Sequence, residues 1–241
     1  MSSAIRATDS RAPAGGWHRG TVLQVAHPTP QGVLLRLDVP GRVEHMVGQH
    51  YVIRLSAPDG YTAQRSYSVA SSPSDPLCEF FVARLDNGEV STYLSDEVMV
   101  GDVLDLRGPI GGWFVWDTTT PAVGIAGGTG VVPLIAMLRH AEMSGRGDLL
   151  DLVVSARTLA ELPYADELVG AGAFIALSRE EGPSGRPAGR LHPTEIAGRL
   201  APESTYFVCG SASFAESASA VLVDAGVAEE SIRVERFGPS G

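Results

Sequence analysis

The stretch Arg65-Ser66-Tyr67-Ser68, followed about sixty residues later by Gly127-Gly128-Thr129-Gly130-Val131-Val132-Pro133, decides most about this chain. Arginine offers a planar fork of donors that suits a pyrophosphate, tyrosine offers a flat aromatic face, and serine offers a hydroxyl. The glycine turn opens directly into an apolar helical pattern. It leaves backbone N–H groups free at a helix N-terminus, where a second phosphate can bind. The two stretches together predict two nucleotide sites.

Short runs rich in strand-forming residues surround the first stretch. Gly, Pro, Asp or Asn bound each run, and these residues favour turns. The runs cover 17–25, 33–39, 51–55, 65–70, 79–84 and 102–106. One short helical candidate, at 90–98, is the single interruption. Six short strands closed by turns predict a small antiparallel barrel.

The pattern changes after Pro121, where apolar strands begin to alternate with helices. Strands are predicted at 122–126, 149–155, 174–177, 205–209 and 232–237. Helices are predicted from the glycine turn to about Gly145 and at 159–169, 193–200 and 213–225. This alternation predicts a parallel, doubly wound sheet. We therefore expect a disordered tail over 1–16, a barrel domain over 17–118 and an α/β domain over 119–241.

Composition excludes several classes of protein. The chain has 241 residues, of which 44% are hydrophobic and 19% charged, as in globular proteins. No apolar run approaches the roughly 18–20 residues that span a bilayer. The first sixteen residues contain no apolar signal-peptide core. We expect a cytoplasmic protein, with no membrane partner.

The charged residues and cysteines narrow the choice further. All 18 basic residues are arginine, and the net charge of −10 argues against a nucleic-acid partner. The two cysteines, Cys78 and Cys209, lie far apart without a CxxC pattern. A cluster takes four cysteines or two cysteines with two histidines, so we expect neither an iron–sulfur cluster nor another metal site. We expect a monomer.

The chain resembles the ferredoxin–NADP reductase superfamily of FAD-dependent reductases. Seven motifs in order carry the resemblance: Gly48-Gln49-His50-Tyr51-Val52, Arg65–Ser68, Asn87–Leu94, Gly108-Pro109-Ile110-Gly111, Gly127–Pro133, Val208-Cys209-Gly210 and Val234–Gly238. The resemblance covers residues 17–238. It implies an FAD-binding barrel followed by an NAD(P)-binding α/β domain.

The resemblance assigns one set of residues to FAD. It implies that Arg65 clamps the pyrophosphate, that Tyr67 stacks on the flavin or contacts its ribityl chain, and that Ser68 hydrogen-bonds flavin N5. Phe237 would cover the flavin face where the nicotinamide stacks, in place of the tyrosine of plant-type relatives. The other residues assigned to FAD are Ser66, Arg84, Val90, Ser91, Thr92 and Thr129. Ser91 and Thr92 are also typical of an ordinary helix N-cap.

The residues expected to bind the nicotinamide nucleotide follow the later strands. No spaced GxGxxG is present, and no acidic residue stands where a ribose-binding carboxylate is expected. Cations and a serine stand near these strand ends instead: Arg157, Ser178, Arg179 and Arg190. They favour the 2′-phosphate of NADPH, although such arginines also occur in NADH-using relatives. Gly127, Gly128, Thr129, Gly130, Cys209 and Gly210 complete the predicted NAD(P) site.

Three residues are predicted to be catalytic. In the family a Ser–Cys–Glu set surrounds the flavin, and Ser68, Cys209 and Glu235 fit that pattern. The resemblance implies that the Cys209 thiol lies beside nicotinamide C4. A free cysteine is more commonly a small core residue, and Glu235 has a second interpretation as part of a solvated strand face.

The leading hypothesis is an FAD-dependent reductase that takes hydride from NADPH or NADH. It would pass single electrons to an external acceptor, most plausibly a ferredoxin serving an oxygenase or a cytochrome P450. Arg36, Arg42, Arg54 and Arg236 would give the acidic chain a basic docking face. Two alternatives stay open: a flavin-binding electron-transfer subunit of a larger complex, and a free-flavin or quinone reductase.

Overall fold

The first half of the chain forms one antiparallel sheet in a computed structural model that describes residues 16–237. Its strands are β1 (Trp17–Thr29), β2 (Gly32–Asp38), β3 (His50–Ser56), β4 (Thr62–Ser68), β5 (Cys78–Ala83) and β6 (Val103–Ile110). Their order is β4-β3-β6-β1-β2-β5. A bridge between Val69 and Phe80 joins the chain after β4 to β5, so the two edges of the sheet meet.

The barrel is filled by alternate residues of its strands, as the period of two requires. Leu35, Tyr51, Ile53, Phe80 and Leu106 are fully buried in this core. Helix α1 (Glu89–Asp96) adds Val90 and Leu94 to the same core. The side chains that face away from this core can therefore contact other parts of the molecule.

The second half forms a parallel sheet of five strands. They are β7 (Ala122–Gly127), β8 (Leu150–Ala156), β9 (Phe174–Leu177), β10 (Thr205–Ser211) and β11 (Ile232–Phe237), in the order β11-β10-β7-β8-β9. The helices are α2 (Val132–Met143), α3 (Ala165–Gly170), α4 (Pro193–Ala197) and α5 (Ala212–Asp224). The strand order reverses between β7 and β10, and ligands of open α/β sheets bind at the carboxyl ends of such strands.

The predicted fold class is confirmed, but two of its helices differ from prediction. Residues 159–169 do not form one helix: a 3-10 turn covers Leu159–Glu161, and α3 starts only at Ala165. Pro163 explains the break, because proline drives the preceding residue out of helical geometry. Leu162 is extended, with φ −87° and ψ 116°. The helix predicted at 193–200 is shorter than expected and ends at Ala197.

A network of ion pairs joins the two sheets. Arg139 of α2 donates to Glu79 of β5 at 2.8 Å and to the carbonyl of Ala70 at 3.0 Å. It also donates to both carboxylate oxygens of Glu167 in α3, at 2.7 and 2.8 Å. Glu79 is 5% exposed, so breaking the pair would leave a buried charge without its partner. This network fixes the barrel against the parallel sheet.

The expected domain boundary between 118 and 119 falls in the connection from β6 to β7 and stays a prediction. The expected tail, apart from Gly16, lies outside the described residues, as do residues 238–241. Within 16–237, every helix is too short or too polar to cross a bilayer.

Candidate functional site

A cleft of about 1580 Å³ lies where the barrel meets the carboxyl ends of the parallel strands. Its wall brings together most of the residues predicted for the two nucleotides: Arg65, Ser66, Tyr67, Ser68, Arg84, Val90, Ser91, Gly127, Gly128, Thr129, Arg157, Ser178, Arg190, Glu235 and Phe237. The remaining predicted residues are absent from the wall: Thr92, Gly130, Arg179, Cys209 and Gly210. The two halves of the predicted site therefore share one cavity.

The end of β4 supplies the barrel side of the cleft. Arg65 is exposed, and its guanidinium donates to the carbonyl of Gln64 at 2.7 Å, which leaves most of its donors available. Burial raises the pKa of Tyr67, so its hydroxyl stays neutral. Ser68 is 4% exposed and pairs with His50 across β3 and β4. A cation, an aromatic ring and a hydroxyl thus follow one another along the wall.

Helix α1 points its N-terminus at the same wall. No side chain caps this helix, and the first N–H groups of a helix have no partner within it. The Ser91 hydroxyl accepts from the Leu85 N–H at 3.2 Å and donates to the Gly88 carbonyl at 3.1 Å, so it holds the turn instead of capping the helix. The Thr92 hydroxyl donates to the Leu85 carbonyl at 3.4 Å, and Thr92 itself is absent from the cleft wall. The free N–H groups form an anion-binding end.

Arg84 reaches the cleft wall with its charge already partnered. Its Nε donates to both carboxylate oxygens of Asp96 at 3.1 Å, and Nη1 lies 3.5 Å from Asp86. The bonds to Asp96 raise the pKa of Arg84. Arg84 is therefore a weaker anion partner than Arg65, which lies on the same wall without such a pair.

The glycine turn supplies the opposite wall, and two of its glycines, Gly128 and Gly130, have different backbone reasons to be glycine. A Cβ on Gly130 would lie 2.2 Å from the Cys209 carbonyl oxygen, so only glycine lets the turn reach β10. Gly128 has φ +55°, and the space where its Cβ would point is open. A 3-10 turn over Gly128–Val131 then leads into α2. The backbone is thus exposed to a phosphate at a helix N-terminus.

The barrel and the parallel sheet meet at Glu235. The β10–β11 register sets Cys209 opposite Glu235, and His50 Nδ1 lies 4.0 Å from Glu235 Oε1. Ser68 stands opposite His50, so these four residues form one group at the junction. His50 was not predicted as a site residue, although it lies within the Gly48–Val52 motif. The neighbourhood of β3 and β11 could be seen only in three dimensions.

Cys209 is fully buried within the core of the parallel sheet. Burial, followed by the nearby Glu235, raises the pKa of Cys209 well above its usual value. The side chain is therefore a neutral thiol near pH 7, and its route to a nicotinamide remains a prediction.

Glu235 is the titrating member of this group. Burial raises its pKa from 4.5 to about 7, and its Oε2 has no hydrogen-bond partner among the described residues. Burial also lowers the pKa of His50, so the imidazole is neutral at pH 7. The pair is therefore poised to hold or release one proton near neutral pH instead of forming a permanent ion pair.

Replacing Glu235 with glutamine should change how stability depends on pH. A carboxyl whose pKa is raised on folding costs stability as pH rises from its ordinary pKa to its folded pKa, and the loss then levels off. The variant lacks this loss. Its Tm relative to the parent should therefore climb between about pH 5 and pH 7 and stay level at about pH 8. Thermal melts across this range measure the difference.

The control for this experiment is Glu230→Gln, which removes an equal charge from an exposed position. Its Tm difference from the parent should stay nearly constant over the same range. Parallel curves for Glu235→Gln and the parent would contradict the raised pKa.

The part of the cleft that would hold the 2′-phosphate separates the candidate arginines. Arg157 and Arg190 line the wall, together with Ser178, whereas Arg179 is absent from it. Arg157 pairs with Glu161 at 2.5 Å but is 54% exposed, so it can still meet an anion. Arg186, which was not predicted, holds the segment: it donates to the Arg190 carbonyl at 2.8 Å and to Glu195 at 2.6 Å. Two of the three arginines predicted for the 2′-phosphate, Arg157 and Arg190, therefore line the cavity.

Comparison with known proteins agrees with this geometry. Residues 25–115 match the family model described as an oxidoreductase FAD-binding domain. The ferredoxin–NAD(P)+ reductase component of the naphthalene 1,2-dioxygenase/salicylate 5-hydroxylase systems of Ralstonia sp is 28% identical over 236 residues, or 92% of this chain. Residues 25–115 thus match an FAD-binding oxidoreductase domain, and the chain as a whole is similar to reductases of the ferredoxin–NAD(P)+ type.

Two further relatives set the limits of the comparison. The propane 2-monooxygenase reductase component of Mycolicibacterium goodii is 34% identical over 161 residues. The chain spans 45% of that protein and 70% of the Ralstonia protein. A ferredoxin NADP+ reductase from Neisseria gonorrhoeae with bound FAD and NADP has the same fold, with a TM-score of 0.79, 22% identity and coverage of 91% and 98% of the two chains. The predicted resemblance to this superfamily, the two-part fold and an FAD-binding domain are confirmed.

Proposed function

We propose that this chain is an NADPH-dependent FAD reductase that passes single electrons to an external acceptor protein. The observation that carries the proposal is the shared cleft: the barrel residues suited to FAD and the strand ends suited to a nicotinamide nucleotide line one cavity. When bound, FAD accepts two electrons with a hydride and returns them one at a time.

The residues of the barrel wall would hold FAD. Arg65 would pair with the pyrophosphate, which the uncapped N-terminus of α1 would meet from the other side. Tyr67 would supply a neutral aromatic face, and Ser68 would hydrogen-bond the reactive end of the ring system. Phe237, on the opposite strand end, would cover the face that the nicotinamide needs.

The residues at the junction would manage the proton and the coenzyme. Glu235, with its pKa near 7, would hold or release a proton beside His50 and Ser68. Gly127, Gly128 and Thr129 would bind the coenzyme phosphates through the backbone. Cys209, directly behind the glycine turn, would position the nicotinamide by its bulk. Because the Cys209 side chain is completely buried when no coenzyme is bound, its burial supports this positioning role better than a direct contact with the nicotinamide.

The preference for NADPH is part of the proposal. Arg157 and Arg190 on the cleft wall give a 2′-phosphate two cationic partners. Among the described residues, the acidic side chains of the wall that could compete with the 2′-phosphate are Asp86, Glu161 and Glu235. Glu161 is already paired with Arg157.

The acceptor is proposed to be a ferredoxin that serves an oxygenase or a cytochrome P450. The Ralstonia and Mycolicibacterium relatives are named as reductase components of oxygenase systems. Within 16–237, no three His, Cys, Asp or Glu side chains are placed to hold a metal ion, and both cysteines are buried. We further propose a cytoplasmic monomer.

The test is a purified protein assayed with three acceptors. The sample should be yellow, keep its flavin through desalting and bleach anaerobically with NADPH. It should reduce ferricyanide quickly, and reduce cytochrome c slowly until a ferredoxin is added. Colour without bleaching by NADPH or NADH would favour the electron-transfer subunit. Flavin lost on desalting would favour the free-flavin or quinone reductase, and fast reduction of cytochrome c without ferredoxin would contradict the ferredoxin partner.

A further inference from the structure

One face of the barrel continues out of the cleft as a cationic and aromatic surface. The strand registers place two rows of residues across β4, β3, β6 and β1: Ser66, Val52, Arg107 and Trp17 in one row, and Gln64, Arg54, Asp105 and Arg19 in the next. Members of the two rows are two residues apart on each strand, so they point to the same face. Ser68 and His50 form the row before them, and both line the cleft. These two rows, from Ser66 to Arg19, are called the β1–β6 face below.

Trp17 and the arginines form a stack on the β1–β6 face. The Arg54 guanidinium lies 3.9 Å from the centre of the Trp17 ring, and that of Arg107 lies 5.4 Å from it. Such contacts hold a cation over an aromatic ring at a partly exposed site. Trp17 remains 38% exposed, and Arg19 is exposed beside it. The face therefore presents an ordered aromatic ring flanked by guanidinium groups.

The charge of this face opposes that of the whole chain. The two rows contain three arginines and one acidic residue, Asp105, which pairs with Arg54 at 2.8 Å. Their formal charge is therefore three minus one, or +2, in a chain whose net charge is −10. The other arginines expected to dock an acceptor are engaged elsewhere. Arg36 bonds Asp75 at 2.6 Å, Arg42 donates to the Asp75 carbonyl, and Arg236 lies in the cleft wall. Of the expected docking group, only Arg54 belongs to the β1–β6 face.

We propose that the β1–β6 face is the docking surface for an acidic protein that carries a one-electron centre. This inference rests on the proposed function and adds the place where the acceptor binds. With FAD bound in the cleft and reduced by NAD(P)H, one electron would pass to the oxidised centre of the carrier and reduce it, and no covalent bond would form or break. Complementary charge speeds the encounter and orients the carrier.

The size of the face suits this role. Neighbouring strands lie about 4.8 Å apart, so the row from Ser66 to Trp17 spans three such spacings, or about 15 Å. A specific interface buries about 800 Å² on each partner, which would cover both rows and reach the mouth of the cleft beside Ser66. A carrier bound here therefore covers the stack and touches the flavin site.

The test compares charge reversals with a matched control. The variants Arg19→Glu and Arg107→Glu each change the net charge by −2 on the β1–β6 face. Arg146→Glu makes the same change after α2, where the Arg146 side chain is exposed and has no hydrogen bond or ion pair among residues 16–237. The probes are a plant-type [2Fe–2S] ferredoxin, which is acidic, cytochrome c, which is basic, and ferricyanide. The holoprotein is assayed anaerobically with NADPH, at low acceptor concentration.

Each reversal on the β1–β6 face should lower the rate with ferredoxin by about three- to tenfold, and that rate should lose part of its decline with rising salt. Ferricyanide reduction should stay within about twofold of the parent, and cytochrome c reduction should not fall, because its charge has the opposite sign. Arg146→Glu should leave the ferredoxin rate nearly unchanged. Asp105→Asn, which removes the acid of the face, should raise it.

Equal effects of Arg146→Glu and the face variants on the ferredoxin rate would overturn the inference while leaving the proposed function intact. Ferricyanide reduction without any ferredoxin reduction by the parent would overturn the inference together with the ferredoxin acceptor, but not the flavin reductase. Failure of the parent to reduce ferricyanide with NADPH or NADH would instead contradict the proposed function. If Arg107→Glu loses its flavin, Arg107→Gln and Arg19→Glu still decide the matter, since a ferredoxin rate equal to the parent's in both would reject the face.

Discussion

Replacing Arg65 with alanine is expected to strip FAD from the protein without unfolding it. The guanidinium is exposed and, among residues 16–237, makes one bond, to the neighbouring Gln64 carbonyl, so the fold of this part does not depend on it. A charge-assisted pair with a pyrophosphate is worth about 1.5–3 kcal/mol, which corresponds to a roughly 10- to 150-fold loss of FAD affinity. Titration of the apoprotein with FAD measures this change, and circular dichroism checks the fold.

Arg84→Ala provides the comparison for this experiment. Arg84 lies on the same wall, but Asp96 and Asp86 already hold its guanidinium. Its loss should weaken FAD binding less than the loss of Arg65 does. If Arg65→Ala binds FAD as tightly as the parent, the assignment of Arg65–Ser68 to the pyrophosphate end of FAD is wrong.

The second large effect is expected for the coenzyme. Changing both Arg157 and Arg190 to alanine should lower kcat/KM for NADPH by about a hundredfold, because two charge-assisted contacts with a 2′-phosphate are lost at about 1.5 kcal/mol or more each. NADH lacks that phosphate, so its kcat/KM should stay within about threefold of the parent. Steady-state assays with ferricyanide give both values.

Arg179→Ala is the matched control, since it removes the same charge from a side chain that is not part of the cleft wall. It should leave the ratio of the two coenzymes unchanged. An equal fall for NADPH and NADH in the double variant would show that Arg157 and Arg190 support the fold of this wall. The preference for NADPH would then lose its basis.

Several local features of the site were readable from the sequence because they depend on neighbouring residues. Arg65, Tyr67 and Ser68 occur within four positions, and a strand end places them in succession along one wall. The glycine turn reads equally well, since it follows an apolar strand and opens a helix. Pro163 also indicated the break in the helix predicted at 159–169, but the apolar pattern on either side of it favoured a continuous helix.

The state of Glu235 and the choice among the arginines were not readable in this way. Burial raises the pKa of Glu235, and that burial arises where β11 meets β3 of the other sheet. Arg179 and Arg190 stand near strand ends alike in the sequence, but only one faces the cavity. The direction of a side chain in a connecting segment depends on hydrogen bonds such as those of Arg186, which link residues that are not neighbours in the sequence.

The sequence by itself determined the order of barrel and parallel sheet, because strand and helix periods are local and turn residues mark their ends. It also determined which segments carry the nucleotide motifs. Only the tertiary structure decided that both motifs share one cleft, that His50 joins Glu235, and that Trp17 stacks with Arg54 and Arg107. These contacts join residues that lie far apart along the chain, and the register and burial that set them are properties of the assembled sheets.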